Sequence, residues 1–115
     1  MKAVEMTSGQ GLYLLHQVAL SMVTDNERDL SQRQIAILLE IYLTPPPHTI
    51  RDLAAKLGVT KPVVTRALDT MGHMGLVDRR RDENDKRNVL VQRTVSGSNY
   101  VEGMGDLVSK IAGKL

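Results

Sequence analysis

The sequence contains no cysteine, no phenylalanine and no tryptophan. Without cysteine there is no disulfide, no thiolate zinc site and no thiol redox switch. Tyrosine is the one large aromatic residue, present three times. The core therefore has to be aliphatic and Met-rich, and stacking of single-stranded bases on aromatic platforms is excluded as the main mode of binding. No apolar run approaches the roughly 20 residues that a membrane-spanning helix requires. The opening MKAVEMTSGQ has neither the apolar segment nor the cleavage site of an export signal, so a cytoplasmic protein is expected. Neither charge sign dominates: 15 Lys and Arg stand against 13 Asp and Glu, a net +2. Total charge thus points to no partner, and only its placement can. His16, His48 and His73 are far apart and lack the spacing of metal ligands. No nucleophile–base pair, phosphate-cradling glycine loop or ligand cluster is visible, so neither an enzyme nor a bound cofactor or metal is expected.

What is present is globular in composition, with 42% apolar and 24% charged residues over 115 positions, enough for a single domain spanning residues 1–115. Residues 1–9 read as a loose arm. A first helix is expected from about residue 10 to 26, apolar around most of its circumference, as in a helix buried on several sides. One side would meet the core and another a second subunit. Ser31 caps a second helix with Gln34 in the capping-box position, and Ile35, Leu38, Leu39 and Tyr42 form its buried stripe. Pro45, Pro46 and Pro47 stop that helix and act as a rigid spacer.

The stretch from Thr49 to Arg81 organises the rest. Thr49 is placed to cap a helix with Asp52 in its first turn, and Ile50, Leu53, Ala54 and Leu57 share one face. Gly58 stands where a left-handed residue ends a helix, and Thr60 is a second N-cap with Pro62 tolerated in the first turn. Val64, Ala67, Leu68 and Met71 make the next buried stripe. This is the spacing of a helix-turn-helix. Residues 76–80 then read as a strand and residues 88–95 as its antiparallel partner, joined by a polar loop from Arg81 to Arg87. Thr94 or Ser96 caps a last helix, about residues 96–112, which contains Gly97, Gly103 and Gly105 and depends on packing, as across a dimer. The fold class is mainly α with a small β-hairpin: a winged helix-turn-helix of about five helices plus a two-stranded wing, its terminal helices contributing to dimerisation.

Two surfaces carry the chemistry. The exposed side of the helix from Lys61 to His73 has the size to enter a DNA major groove. Thr60 and Lys61, with Pro62 beside them at the positive helix N-terminus, suit phosphates. Val63 can pack on a thymine methyl, and Thr65 and Arg66 suit base edges. The hairpin carries Arg79, Arg80, Arg81, Lys86 and Arg87, which can reach the adjacent minor groove. Asp85 reads as an anchor holding Arg87 in position. The competing reading is a winged helix that binds protein without sequence-specific DNA recognition, since Asp78, Asp82, Glu83 and Asp85 interleave with the wing's cations.

The run LAAKLGVTKPVVTRALDTMGHMGLVDR from Leu53 to Arg79, followed by Asp85-Lys86-Arg87 and by Thr94-Val95-Ser96-Gly97, resembles the MarR family of bacterial transcription regulators over roughly residues 31–100. The family's wing reads Asp-x-Arg and precedes Leu-Thr-x-x-Gly, which picks out Asp85, Arg87, Thr94 and Gly97. The resemblance implies a homodimer that binds a palindromic double-stranded operator, with the helix after Thr60 reading bases and Arg87 entering the minor groove. It does not by itself support a small-molecule effector. Two departures stand out: Arg93 occupies the usual Leu position, and Val63 stands where a small polar residue is common.

Overall fold

A computed structural model describes residues 2–24 and 28–115. In chain order the elements are α1 (Ser8–Val23), α2 (Gln32–Leu43), β1 (His48–Thr49), α3 (Ile50–Leu57), α4 (Lys61–His73), β2 (Val77–Arg81), β3 (Val89–Arg93) and α5 (Val95–Ala112). They belong to two compact units. One covers Leu30–Val101, and the other joins the N-terminal segment through Asp29 to Glu102–Leu115. Among the described residues the architecture is a winged helix with five helices. Its antiparallel sheet has three strands in the order β1-β3-β2, where a two-stranded wing was expected.

The added strand lies just beyond the prolines. His48 pairs opposite Val91 and Thr49 opposite Leu90, so the extended Pro-rich segment delivers two residues to the free edge of β3. Thr49 then accepts the amide of Asp52 through its hydroxyl and starts α3 without an intervening loop. Gly58 ends α3 at φ 67°, a left-handed conformation that disfavours any side chain. The turn through Val59 launches α4 almost at once.

The core of the Leu30–Val101 unit collects Ile37, Leu38 and Ile41 of α2, Leu53 and Ala54 of α3, Val64, Ala67, Leu68 and Met71 of α4, and Leu76, Val77 and Val91 from the sheet region. The α4 stripe is the expected one. The α2 stripe is rotated: Ile37 and Ile41 are fully buried, whereas Ile35, Leu39 and Tyr42 are only half-buried. Apolar residues occupy adjacent faces of α2, and its packing partners, not its own periodicity, choose between them. Tyr42 lies at the margin of the core for a polar reason. Its hydroxyl donates to the carbonyl of Leu76 at 2.7 Å and accepts the amide of Thr94 at 3.0 Å. Thr94 is the cap of α5, accepting the amide of Gly97 at 2.9 Å and donating to the carbonyl of Gly75 at 2.7 Å.

Arg93 resolves the departure seen in the sequence. Its Nε donates to the carbonyl of Ile41 at 2.8 Å, its Nη2 donates to that of Thr44 at 2.9 Å, and its guanidinium lies over the Tyr42 ring at 5.9 Å. The last turn of α2 has no basic residue of its own. The arginine of β3 therefore supplies both the donors and the positive charge that a helix C-terminus lacks. Arg93→Leu should lower stability by about 1 kcal/mol, the scale of exchanging such hydrogen bonds at a partly solvated site. Urea denaturation would show it, and an unchanged midpoint would contradict the capping role.

In the terminal unit, α1 begins at Ser8, two residues earlier than expected. Thr7 and Gln10 form a reciprocal capping box, with contacts of 3.1 and 2.9 Å. Residues 7–9 are thus not part of a loose arm, and the expected end near residue 26 falls outside the described residues. No residue of α1 is buried. Leu12, Leu15, Leu20 and Val23 are each more than half exposed. The half-buried residues of this helix, Gly11, Leu14, Gln17, Val18, Ser21 and Met22, recur at helical spacing along one side, so α1 is partly covered on that side and open on the others. Among the described residues, no helix is long and apolar enough to cross a membrane.

Candidate nucleic-acid interface

The outward face of α4 follows from its buried one. Successive residues are rotated by about 100° around the axis. With Val64, Ala67, Leu68 and Met71 inward, Pro62, Arg66, Asp69 and His73 lie opposite the core. Lys61 and Thr65 form one flank, and Val63 and Thr70 form the other. The exposures agree: Pro62, Arg66 and Asp69 are exposed, while Val63 and Thr65 are half-buried.

The start of α4 differs from the expected cap. Thr60 has the extended backbone of an N-cap and its carbonyl accepts the amides of Val63 and Val64. Its hydroxyl makes no capping hydrogen bond and remains exposed. The first turn of α4 carries no acidic residue, so its partial positive charge is not neutralised from within the helix. Lys61 and Pro62 are exposed there as well.

The wing is internally braced. Arg81 donates from Nη1 to the carbonyl of Lys86 at 2.7 Å, which ties the two sides of the loop. Arg87 and Asp85 make a two-point contact, with Nε to Oδ1 at 3.0 Å and Nη2 to Oδ2 at 3.2 Å; the Arg87 amide also donates to Oδ1. The Arg87 side chain nevertheless remains 90% exposed. The Arg87 side chain, then its amide, hold the Asp85 carboxyl below its ordinary pKa, with a smaller contribution from the charge of Arg51. A depressed carboxyl pKa means that the pair persists through neutral pH and is lost only as acid titrates Asp85. Lys86 is exposed at the loop tip.

Arg79 is placed differently from the other wing cations. Its Nη2 donates to Oδ1 of Asp69 at 2.7 Å, which links β2 to the outward face of α4. The same turn of α4 receives the ring of His73, whose Nδ1 donates to the Asp69 carbonyl at 2.6 Å. His48 is buried with Nε2 3.2 Å from the Thr44 carbonyl. Both imidazoles thus serve local backbone groups.

A hollow opens on each flank of α4, and a third of about 340 Å³ lies between its last turns and β2. A cleft of about 350 Å³ is lined by Ile50, Arg51, Lys61, Thr65, Arg87, Asn88 and Val89, and brings α3, α4 and the wing together. A smaller hollow of about 210 Å³ on the other flank is lined by residues of α2 and α4, among them Ser31, Arg33, Val63, Arg66 and Thr70. Arg51, Asn88 and Arg33 are members that the motif did not indicate. The local signal for Arg51 is an exposed cation in the first turn of α3.

Residues 30–89 match the model of the MarR family, which is more than half of the chain. This chain belongs to the MarR family. It is, with that family, a winged-helix DNA-binding transcription regulator. Solved structures share the fold. A single-residue mutant of MepR from S. aureus superposes with a TM-score of 0.77 at 21% identity, covering 96% of this chain and 82% of that one. The S. aureus MepR–DNA complex gives 0.75 at 24% identity, covering 84% of this chain and 77% of the other. YusO from Bacillus subtilis gives 0.77 at 18% identity over 93% and 74% of the two chains.

Proposed function

We propose that this MarR protein binds a palindromic double-stranded operator as a homodimer, with α4 in the major groove and the wing in the adjacent minor groove. The observation that carries the reading is the outward face of α4. Arg66 stands near its centre, and the cleft on one flank joins Lys61 and Thr65 to Arg87 of the wing. Arg66 has the reach to bond guanine O6 and N7 together, Thr65 reads from the flank, and Val63 offers methyl contact on the other side. Thr60, Lys61 and Pro62 lie at the unneutralised helix start, which suits a phosphate. Arg87 supplies the narrow-groove contact, with Asp85 orienting it. Arg81 and Lys86 line the phosphates beside it, and Arg79 keeps Asp69 from repelling them. The single winged-helix domain acts through its terminal helices: the exposed Leu12, Leu15 and Leu20 of α1 and Val108 of α5 suit burial against a second copy. MepR, which shares the fold, has been solved in complex with DNA, which supports the DNA-binding part of this reading.

The test is selection of bound duplexes from a random pool at stated salt. The expected product is a pair of symmetry-related half-sites centred about 10 base pairs apart. Affinity should fall steeply as salt rises, because phosphate contacts release counterions. An unenriched pool, or binding indifferent to salt, would move the protein to the interaction-module reading.

A further inference from the structure

We propose that Arg51 and Arg33 are phosphate clamps that hold the two strands on either side of α4; this rests on the DNA-binding reading above. A helix with its side chains is about 10–12 Å across, and the major groove is about 12 Å wide. A helix seated there meets both walls, and each wall is one strand's sugar–phosphate backbone. The two flanks of α4 must therefore face different strands. The Lys61–Thr65 flank opens into the cleft that holds Arg51 of α3, and the Val63–Thr70 flank opens into the hollow that holds Arg33 of α2. These two arginines come from different helices and stand on opposite sides of the reading face.

Their own surroundings account for little of them, the charge of Arg51 acting on the Asp85 carboxyl only as a minor contribution. Arg33 is the second residue of α2, whose first turn has no acid. A cation at a helix N-terminus is disfavoured by the helix dipole, and an anion beside it reverses that. Arg33 and Arg51 are exposed, and among the described residues neither makes an ion pair. Arg51 shares its cleft with Lys61 and Arg87, three cations around one hollow whose remaining polar lining is Thr65 and Asn88. Such a lining matches a phosphodiester oxygen pair better than a base edge. The role of the two arginines is positional: one contact on each strand fixes how α4 is seated without reading sequence.

The experiment compares wild type with Arg33→Gln, Arg51→Gln and the double variant on the duplex selected by wild type, measuring Kd across a salt series. Each substitution removes one contact per protomer. The slope of log K against log salt should therefore shrink by about 1.8 per dimer for each single variant and about 3.6 for the double. The sequence selected from a random pool should stay the same. Within each half-site, ethylation interference should lose its signal on one strand with Arg51→Gln and on the other with Arg33→Gln, the two-fold axis exchanging the strands in the second half-site. Unchanged slopes, a changed base preference, or both signals on the same strand of a half-site would overturn the assignment. Circular dichroism of the variants should match wild type and thermal melting should show no loss, with Arg33→Gln equal or slightly higher because it removes a cation from a helix N-terminus. Wild type that binds no duplex would instead defeat the underlying reading, a result distinguishable from wild-type binding with unaltered variant slopes.

Discussion

Replacing Gly97 with alanine should destabilise the protein by about 2–4 kcal/mol, among the largest effects available to a single methyl group. A Cβ at this position would overlap the Tyr42 hydroxyl and the Leu76 carbonyl. These two atoms are already bonded to each other, and the same hydroxyl accepts the Thr94 amide. The methyl group cannot be accommodated by a flexible side-chain tip, because Leu76 presents backbone at the entrance to β2. Either α5 shifts away, which breaks the Thr94 cap, or Tyr42 leaves its two partners. Equilibrium denaturation should show the loss, with a melting temperature lower by about 10 °C or more. Tyr42→Phe in the Gly97→Ala background should restore only part of it, since the Leu76 carbonyl still obstructs. A Gly97→Ala protein as stable as wild type would mean that the approach of α5 to α2 is looser than the structure has it.

Arg66→Ala should reduce affinity for the selected operator by about 1–3 kcal/mol, or roughly 5- to 150-fold, and relax the preference at one base pair in each half-site. The size of the effect follows from position. Arg66 lies near the middle of the outward face, where a bidentate contact to guanine has no neighbour able to replace it. Arg87→Ala should weaken binding while changing the selected sequence less, because minor-groove contacts respond chiefly to width and potential. Repeating the duplex selection with both variants separates the two roles. If Arg66→Ala selects the same sequence with wild-type affinity, the base-reading assignment is wrong.

The parts of the fold that were legible in the sequence are those fixed within a few residues of themselves. The α4 stripe repeats at helical spacing, and Gly58 stops α3 where a left-handed residue is required. Ser31 and Gln34 show the reciprocal cap that the structure contains. Features that depend on distant partners were not legible. β1 is two residues long, too short for an alternating pattern, and exists because β3 offers an edge. The buried face of α2 is chosen by what packs on it. Arg93 looked like a charge in an apolar position until the carbonyls of Ile41 and Thr44 were in reach. The capping box at Thr7 was hidden by Gly9, which makes the first turn of α1 look like an arm. The two hollows beside α4 draw on four separate segments, and no local motif announces Arg33 or Arg51.

The link between Asp69 and Arg79 joins positions ten residues apart, one on the outward face of α4 and one on β2 of the wing. Asp69 therefore cannot drift alone. Exchanging it for a neutral residue to read another base pair would release a guanidinium beside the groove and tighten binding to every sequence equally. A relative that acquires a new operator through this position should change both residues, and the two are expected to vary as a pair.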